Sequence, residues 1–227
     1  MMIWLESQFV RNGWVDHWQT LIAGALAIAA ALLGGIFILK QINATREMEA
    51  ESRRRKFDAA RAIFPLTLSS LIEYSRACIR HLLRIYASKS TEIIPKTLDL
   101  ATPPILPSDA IGELRILIEH AGQPFGDSIR ILLTRLQIQA ARLSSLVLEL
   151  RDESDETLVT ASNIETYLID AVEIYARTEA LFAFARGETD EVPGGPNRAD
   201  MSSSLRKNGL WDEQYPRLYE NVGRLYK

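Results

Sequence analysis

One stretch of the chain carries no charge at all. From Thr20 to Leu39 the 20 residues TLIAGALAIAAALLGGIFIL are almost entirely apolar. As a helix rising about 1.5 Å per residue they span roughly 30 Å, the thickness of a bilayer's hydrocarbon core. A buried helix of a soluble core seldom runs this long without a charge, so the stretch reads as a transmembrane helix. Trp14 and Trp18 lie just ahead of it, where indole rings favour the headgroup level, and Lys40 closes the other end. A cleaved signal peptide fits poorly. The leader is 19 residues long, holds Glu6 and Asp16 with Arg11 as its one basic residue, and no small-residue cleavage site follows Leu39.

Within the run, Ala23, Ala27, Ala31 and Gly35 recur every four residues, and Ala30 with Gly34 adds a neighbouring pair. Small side chains let two helices approach closely in lipid, so this face is a candidate for packing against itself or a larger membrane partner. The alternative is that alanine is simply common here. The leader itself holds Ile3, Trp4, Leu5, Phe9 and Val10, an apolar set suited to an interfacial helix or to contact with another membrane protein.

Beyond Leu39 nothing breaks a helix until Pro65. Glu49 with Arg53 and Glu51 with Arg55 are spaced i,i+4 with the acid first, the favoured order. A continuous helix from about Trp18 to Phe64 would run roughly 70 Å. Phe57, Ala60, Phe64, Leu68, Leu71, Cys78, Leu82 and Ile85 then recur at spacings of three, four or seven, with Arg61, Glu73, Arg76, Arg80 and Arg84 elsewhere. That one-sided pattern predicts a helix packed on a core, kinked or jointed at Pro65.

The helical signal stops from about Ser88 to Pro107, where Pro95, Pro103, Pro104 and Pro107 mark a long loop. Ser108 is expected to cap a short helix carrying Ile111, Leu114, Leu117 and Ala121, and Gly122 to Gly126 to form a turn. Asp127 is expected to cap the next helix, whose Ile129, Leu133, Leu136, Ala140, Leu143, Val147 and Leu150 form nearly three heptads of one apolar seam. A charged turn, Arg151 to Glu156, leads through a Ser154 cap to a helix with Leu158, Ala161, Leu168, Ala171, Tyr175, Phe182 and Ala185. The short link makes these two helices antiparallel neighbours. Gly187 to Met201 reads as a second loop around Pro193-Gly-Gly-Pro196. The tail then repeats Leu210, Trp211, Tyr215, Leu218, Tyr219, Val222 and Tyr226 near helical spacing. It either docks on the bundle or offers Trp211, Tyr215 and Tyr219 to a partner, since exposed aromatic residues anchor interfaces well.

Charge decides orientation. The N-terminal flank of the apolar run has Arg11 alone; the other flank has Lys40, Arg46, Arg53, Arg54, Arg55 and Lys56. Basic residues stay on the cytoplasmic side, which puts the N-terminus outside and the C-terminal domain in the cytoplasm of a cell's inner (plasma) membrane. The Arg53–Lys56 cluster lies roughly 20 Å past Leu39 along a straight helix, beyond a Debye length of about 8–10 Å. Glu47, Glu49 and Glu51 offset it. It therefore reads as a topology-setting stretch, with lipid contact as the alternative. The overall charge of −3 shows none of the basic excess of a nucleic-acid-binding domain. At 47% apolar and 24% charged the chain should fold, and about 190 residues follow the run, enough for a core. Cys78 is the single cysteine, so no internal disulfide forms, in keeping with a reducing compartment.

Catalytic patterns are missing. A di-iron bundle needs Glu-x-x-His pairs, and residues 78 and 117 are cysteine and leucine ahead of His81 and His120. Cys78 and His81 lie one helical turn apart and could supply half of a zinc site; the alternative is a buried cysteine beside a surface histidine. As a Cys/His nucleophile the pair lacks an orienting third group. Pro193-Gly-Gly-Pro196 has neither the lysine nor the strand of a phosphate loop. Glu119-His120 reads as a helix-end polar pair, and the Asn43-Ala-Thr45 triplet would face the side where glycosylation does not occur.

The layout resembles that of many small single-pass bacterial proteins with a helical cytoplasmic domain. The expected architecture is all-α, with a leader over 1–19, a transmembrane helix over 20–39 and a charged stalk over 40–56. An antiparallel helical bundle over 57–187 and a loop with an aromatic helix over 188–227 follow. The expected role is a non-enzymatic interaction or scaffold protein that self-associates or docks a cytoplasmic partner. An accessory subunit held in a larger complex mainly through its transmembrane helix is the alternative, and an enzyme whose site matches no recognised motif is the third reading. Neither of the first two readings calls for a cofactor, a metal, a nucleic acid or a small-molecule substrate, and the lipid bilayer is the one partner common to both.

Overall fold

A computed structural model describes residues 3–96, 100–152 and 157–226, with side chains from residue 18 onward. The described residues are helical, without a strand. The elements are α1 (Ile3–Ala87), α2 (Ser108–His120), α3 (Phe125–Arg151), α4 (Ala161–Ala180), α5 (Phe182–Ala185), α6 (Arg198–Lys207) and α7 (Pro216–Leu225). The chain divides into two compact units, Met1–Arg54 and Arg55–Lys227.

In the first unit, α1 starts at Ile3 and runs through the apolar stretch without a break. The 18-residue window that makes it long and apolar enough to cross a membrane has no buried residue. Leu26, Leu33 and Phe37 expose 65, 68 and 72% of their surface. The core helix of a soluble protein hides such side chains, because each costs roughly 1.5–3 kcal/mol when left in water.

In the second unit, α1 continues as helix through Pro65, the residue at which its sequence suggests a kink or joint. Proline removes one backbone donor there, but its own carbonyl stays engaged, accepting from the Ser69 hydroxyl at 2.9 Å. The helix holds because the residues on both sides share one buried face: Ala60, Phe64, Leu68, Leu71, Cys78, Leu82 and Ile85 are all buried, as their spacing predicts. Phe125, at the start of α3, ties this face to α5. Its ring meets Phe57 and Phe64 edge-on, each at 5.8 Å, and stacks on Phe184 at 4.4 Å. Arg61 is half-buried, lying 4.2 Å over the Phe184 ring while its guanidinium donates to the carbonyls of Phe184 and Thr189.

The α3 seam is shifted from the heptad expectation. Ile129, Leu136, Leu143, Val147 and Leu150 are buried as expected, but Leu132, Gln139 and Leu146 complete the stripe while Leu133 and Ala140 are only half-buried. A straight helix repeats every 3.6 residues rather than 3.5, so a broad buried face drifts off a strict heptad. Gln139 donates from Nε2 to the Tyr167 carbonyl at 3.3 Å. In α4, Leu168, Ala171 and Tyr175 are buried together with Val172, Ile174 and Thr178.

Several expected caps are replaced. Ser108 does not cap α2, whose N-cap is Pro107; its hydroxyl donates to Asp109 instead. Asp127 does not cap α3, which begins two residues earlier, and it pairs with Arg130. Ser154 lies outside the described residues. The cap of α4 is a reciprocal box between Thr160 and Asn163, so Leu158 precedes the helix. The segment expected as a loop from Gly187 to Met201 ends at Asn197, whose side chain caps α6 through the Ala199 and Asp200 amides. At the far end of α6, Gly209 takes φ 77°, and the Gly209 and Leu210 amides donate back to Arg206 and Leu205, a left-handed stop suited to glycine. The segment after α1 is tied down at Ile94, which is buried and bonds Val159 at 2.9 Å, and at Glu92, which accepts from Ala161 at 2.8 Å.

Replacing Phe125 with alanine should remove the ring that joins α1, α3 and α5 and leave a cavity. We expect a loss of roughly 3–5 kcal/mol, read from denaturant unfolding of the solubilised protein. A change below about 1 kcal/mol would show that this cluster does not hold the unit together.

Candidate functional site

The most chemically dense part of the described residues is the surface where α3, α4 and α7 meet. It is built on α4. Glu165, Ile169, Val172, Glu173 and Ala176 follow one another on a single face of that helix, so two carboxylates occupy positions where helical spacing calls for apolar residues. Both are buried, at 1% and 2% exposure.

Each carboxylate is matched by groups from distant parts of the chain. Glu165 accepts from the Tyr86 hydroxyl at 3.0 Å and pairs with Arg217 Nε at 3.4 Å. Arg217 NH1 also reaches both carboxylate oxygens of Glu92, at 2.9 and 3.0 Å. The bond to Glu92, and then the Glu165 charge, raise the guanidinium above its usual value. Glu173 Oε1 accepts from Arg177 Nε at 2.7 Å, with Arg177 NH2 in ion-pair contact at 2.7 Å and Arg135 Nε at 3.4 Å. Its Oε2 accepts from the Tyr226 hydroxyl at 3.0 Å. Burial first, and then the Glu173 charge, hold that hydroxyl well above the usual tyrosine range, so it remains a donor. Asp170 pairs with Arg142; burial raises its carboxyl, against the pull of Arg142.

Around this network opens a cleft of about 510 Å³. Arg135 and Arg142 line it from α3, Ser162, Thr166, Asp170 and Glu173 from α4, and Asn221, Arg224 and Tyr226 from α7 and its end. Two further hollows flank the fold, one of about 660 Å³ between α1 and Pro104–Pro107 and one of about 630 Å³ beneath Pro193–Pro196. Neither gathers as many converging charges.

The residues singled out in the sequence fall elsewhere. Ala23, Ala27, Ala31 and Gly35 are exposed, and a Cβ on Gly34 or Gly35 would meet nothing within 4 Å. Trp18 and Lys40 are exposed at either end of the run, while the side chain of Trp14 lies outside the described residues. Arg53, Arg54, Arg55 and Lys56 are exposed. Of the tail aromatics, Trp211 is half-exposed at 49%. The other two pack within the unit. Tyr215 lies 6.2 Å from the Tyr86 ring, and Tyr219 donates to the Leu210 carbonyl at 2.9 Å.

His81 is buried, not the surface residue that its place beside Cys78 suggests. Burial, and then the nearby Arg84, lower its pKa from 6.5, and its Nε2 has no hydrogen-bond partner among the described residues. Cys78 is wholly enclosed, and burial pushes its thiol up to about 12 against the smaller opposing effect of the Tyr74 hydroxyl beside it. A thiol held there is a poor nucleophile and a poor metal ligand at neutral pH. Among the described residues no three His, Cys, Asp or Glu side chains are grouped to hold a metal.

Two outcomes follow from these buried groups. Tyr226→Phe leaves Glu173 Oε2 without its donor, and unfolding should become easier by about 1.5–3 kcal/mol, since the lost bond is to a charged acceptor. For His81, the unfolded chain binds a proton near pH 6.5, while the folded one binds it only at lower pH. Its contribution to stability is therefore present above pH 6.5 and lost as pH falls toward the folded value. His81→Leu should flatten the stability profile below pH 6.5. An unchanged acid limb in unfolding titrations would exclude His81 as its source.

No protein-family model matches the chain, and no curated protein or solved structure is detectably similar to it.

Proposed function

We propose that this chain is a single-pass membrane protein whose Arg55–Lys227 unit is a non-enzymatic interaction module built as an antiparallel helical bundle. The supporting observation is the apolar window of α1, which has no buried residue and belongs to the same helix that supplies the core of the second unit. An exposed apolar surface of that length is stable only when lipid or protein covers it. In this reading the N-terminus lies outside and the module in the cytoplasm of a bacterial inner membrane, on the excess of Lys and Arg after Leu39. The exposed small-residue face of Ala23, Ala27, Ala31 and Gly35 meets a second copy or another membrane protein. That face equally supports an accessory subunit held mainly through α1. The two readings separate on whether exchanging the transmembrane helix for an unrelated one abolishes function.

The test is alkaline extraction of membranes, followed by mass photometry of the gently solubilised protein with co-purifying chains identified by mass spectrometry. The expected result is retention in the membrane pellet and a discrete oligomer or stoichiometric partner. Ala27→Leu with Ala31→Leu should break that association. Release into the alkaline supernatant, or a monomer with no partner, would overturn the proposal.

A further inference from the structure

We propose that the cleft between α3, α4 and α7 is a binding site for a small organic phosphate monoester. It lies wholly within the Arg55–Lys227 unit and does not depend on how the chain is anchored.

The inference rests on charge and shape. Glu173 is already held without Arg135, because Arg177 gives it a hydrogen bond and an ion-pair contact at 2.7 Å and Tyr226 a second hydrogen bond at 3.0 Å. Arg135 is a second cation on the same carboxylate, at a longer 3.4 Å, with a side chain 41% exposed toward solvent. Arg142 is matched by Asp170. Arg224 is exposed on the cleft wall and has no ion pair among the described residues. Arg135 on α3, the second cation on one carboxylate, and Arg224 on α7 therefore give the cleft a surplus of positive charge. Together they match a dianion, and a phosphate monoester carries about −1.5 to −2 at pH 7. Approach from two helices suits a tetrahedral group with three oxygens better than a flat carboxylate, and guanidinium is the side chain best shaped for phosphate.

Neutral groups complete the site. Ser162 and Thr166 on α4 and Asn221 on α7 line the same cleft with hydroxyl and amide groups. Ile169, Leu225 and the Tyr226 ring add apolar surface. At about 510 Å³ the cleft is within the range of small-molecule sites and far larger than a bare phosphate needs. The ligand is thus an organic ester with an apolar body. A soluble metabolite and the headgroup of phosphatidic acid share this chemistry.

The experiment is calorimetric titration of the full-length solubilised protein with phenyl phosphate and inorganic phosphate, alongside co-sedimentation with vesicles containing phosphatidic acid. Arg224→Gln is the main variant, since that side chain supports no ion pair and its loss should leave the fold intact. Asn221→Leu is the second. Saturable binding of phenyl phosphate, at least fivefold tighter than inorganic phosphate and weakened about tenfold by Arg224→Gln, would support the site with a soluble ligand. Binding confined to the phosphatidic acid vesicles and lost in the same two variants would support it with a lipid source. No saturable binding to either, or binding that Arg224→Gln leaves unchanged, would overturn it.

Discussion

A carboxylate taken out of water costs several kcal/mol unless cations and donors replace its hydration, and α4 buries two of them. Glu165 and Glu173 lie in the body of the helix, each almost fully enclosed. Their partners come from α1, α3, α4, α7 and the residue after α7. Holding these two groups therefore draws on several elements of the second unit, although Glu165 Oε2 has no hydrogen-bond partner among the described residues. The apolar contacts of the core are tolerant of small shifts; the requirement for a donor at about 3 Å is not.

The same requirement accounts for the C-terminal helix. Leu218 and Val222 bury an apolar edge of α7, but a ten-residue helix with two buried residues is marginal alone. Arg217 near its start answers Glu165, and Tyr226 just past its end answers Glu173. The two carboxylates are eight residues apart on α4, and their partners, Arg217 on α7 and Tyr226 just past it, are nine apart, so both pairs form only when the two segments run side by side in the same direction. Tyr215 and Tyr219 are held in this docking. The cleft with its surplus positive charge is a consequence. Glu173, already held by Arg177 and Tyr226, takes Arg135 as a second and longer pair, and Arg224 stays exposed on the cleft wall.

Burial treats the two halves of α1 in opposite ways. From Trp18 up to its charged stretch the helix shows apolar side chains in the open, and beyond Phe57 it hides one face of them while Ile63 and Leu66 stay exposed. Its backbone is the same throughout, so the difference lies in side-chain pattern. An apolar residue at every position has no polar face to give to water, whereas a stripe at three- and four-residue spacing has one. Pro65 falls where the stripe is already established, and packing on both sides of it outweighs the missing backbone bond.

The uncharged run from Thr20 to Leu39, the striped helix after Phe57 and the all-helical class were determined by the sequence alone, because each depends on residues close in the chain. The core positions Phe64, Leu68, Cys78 and Leu82 follow from the same local periodicity, whereas the helix expected to run on to about Arg186 ends at Ala180 and is followed by the separate turn of α5. Other features depend on neighbours remote in sequence. His81 sits at a polar position and is buried because other elements pack over it. Leu132, Gln139 and Leu146 join the α3 stripe because the neighbouring helix covers a face wider than one heptad seam. Helix α6, with only Met201, Ser204 and Leu205 buried, has too short an apolar repeat to stand out from a loop. Glu165 and Glu173 did leave a trace, as charges on an apolar face, but their partners lie 53 and 79 residues away in Tyr226 and Tyr86. Tertiary structure alone decided the candidate cleft, because the balance of charge at a site is a sum over groups that only folding brings together.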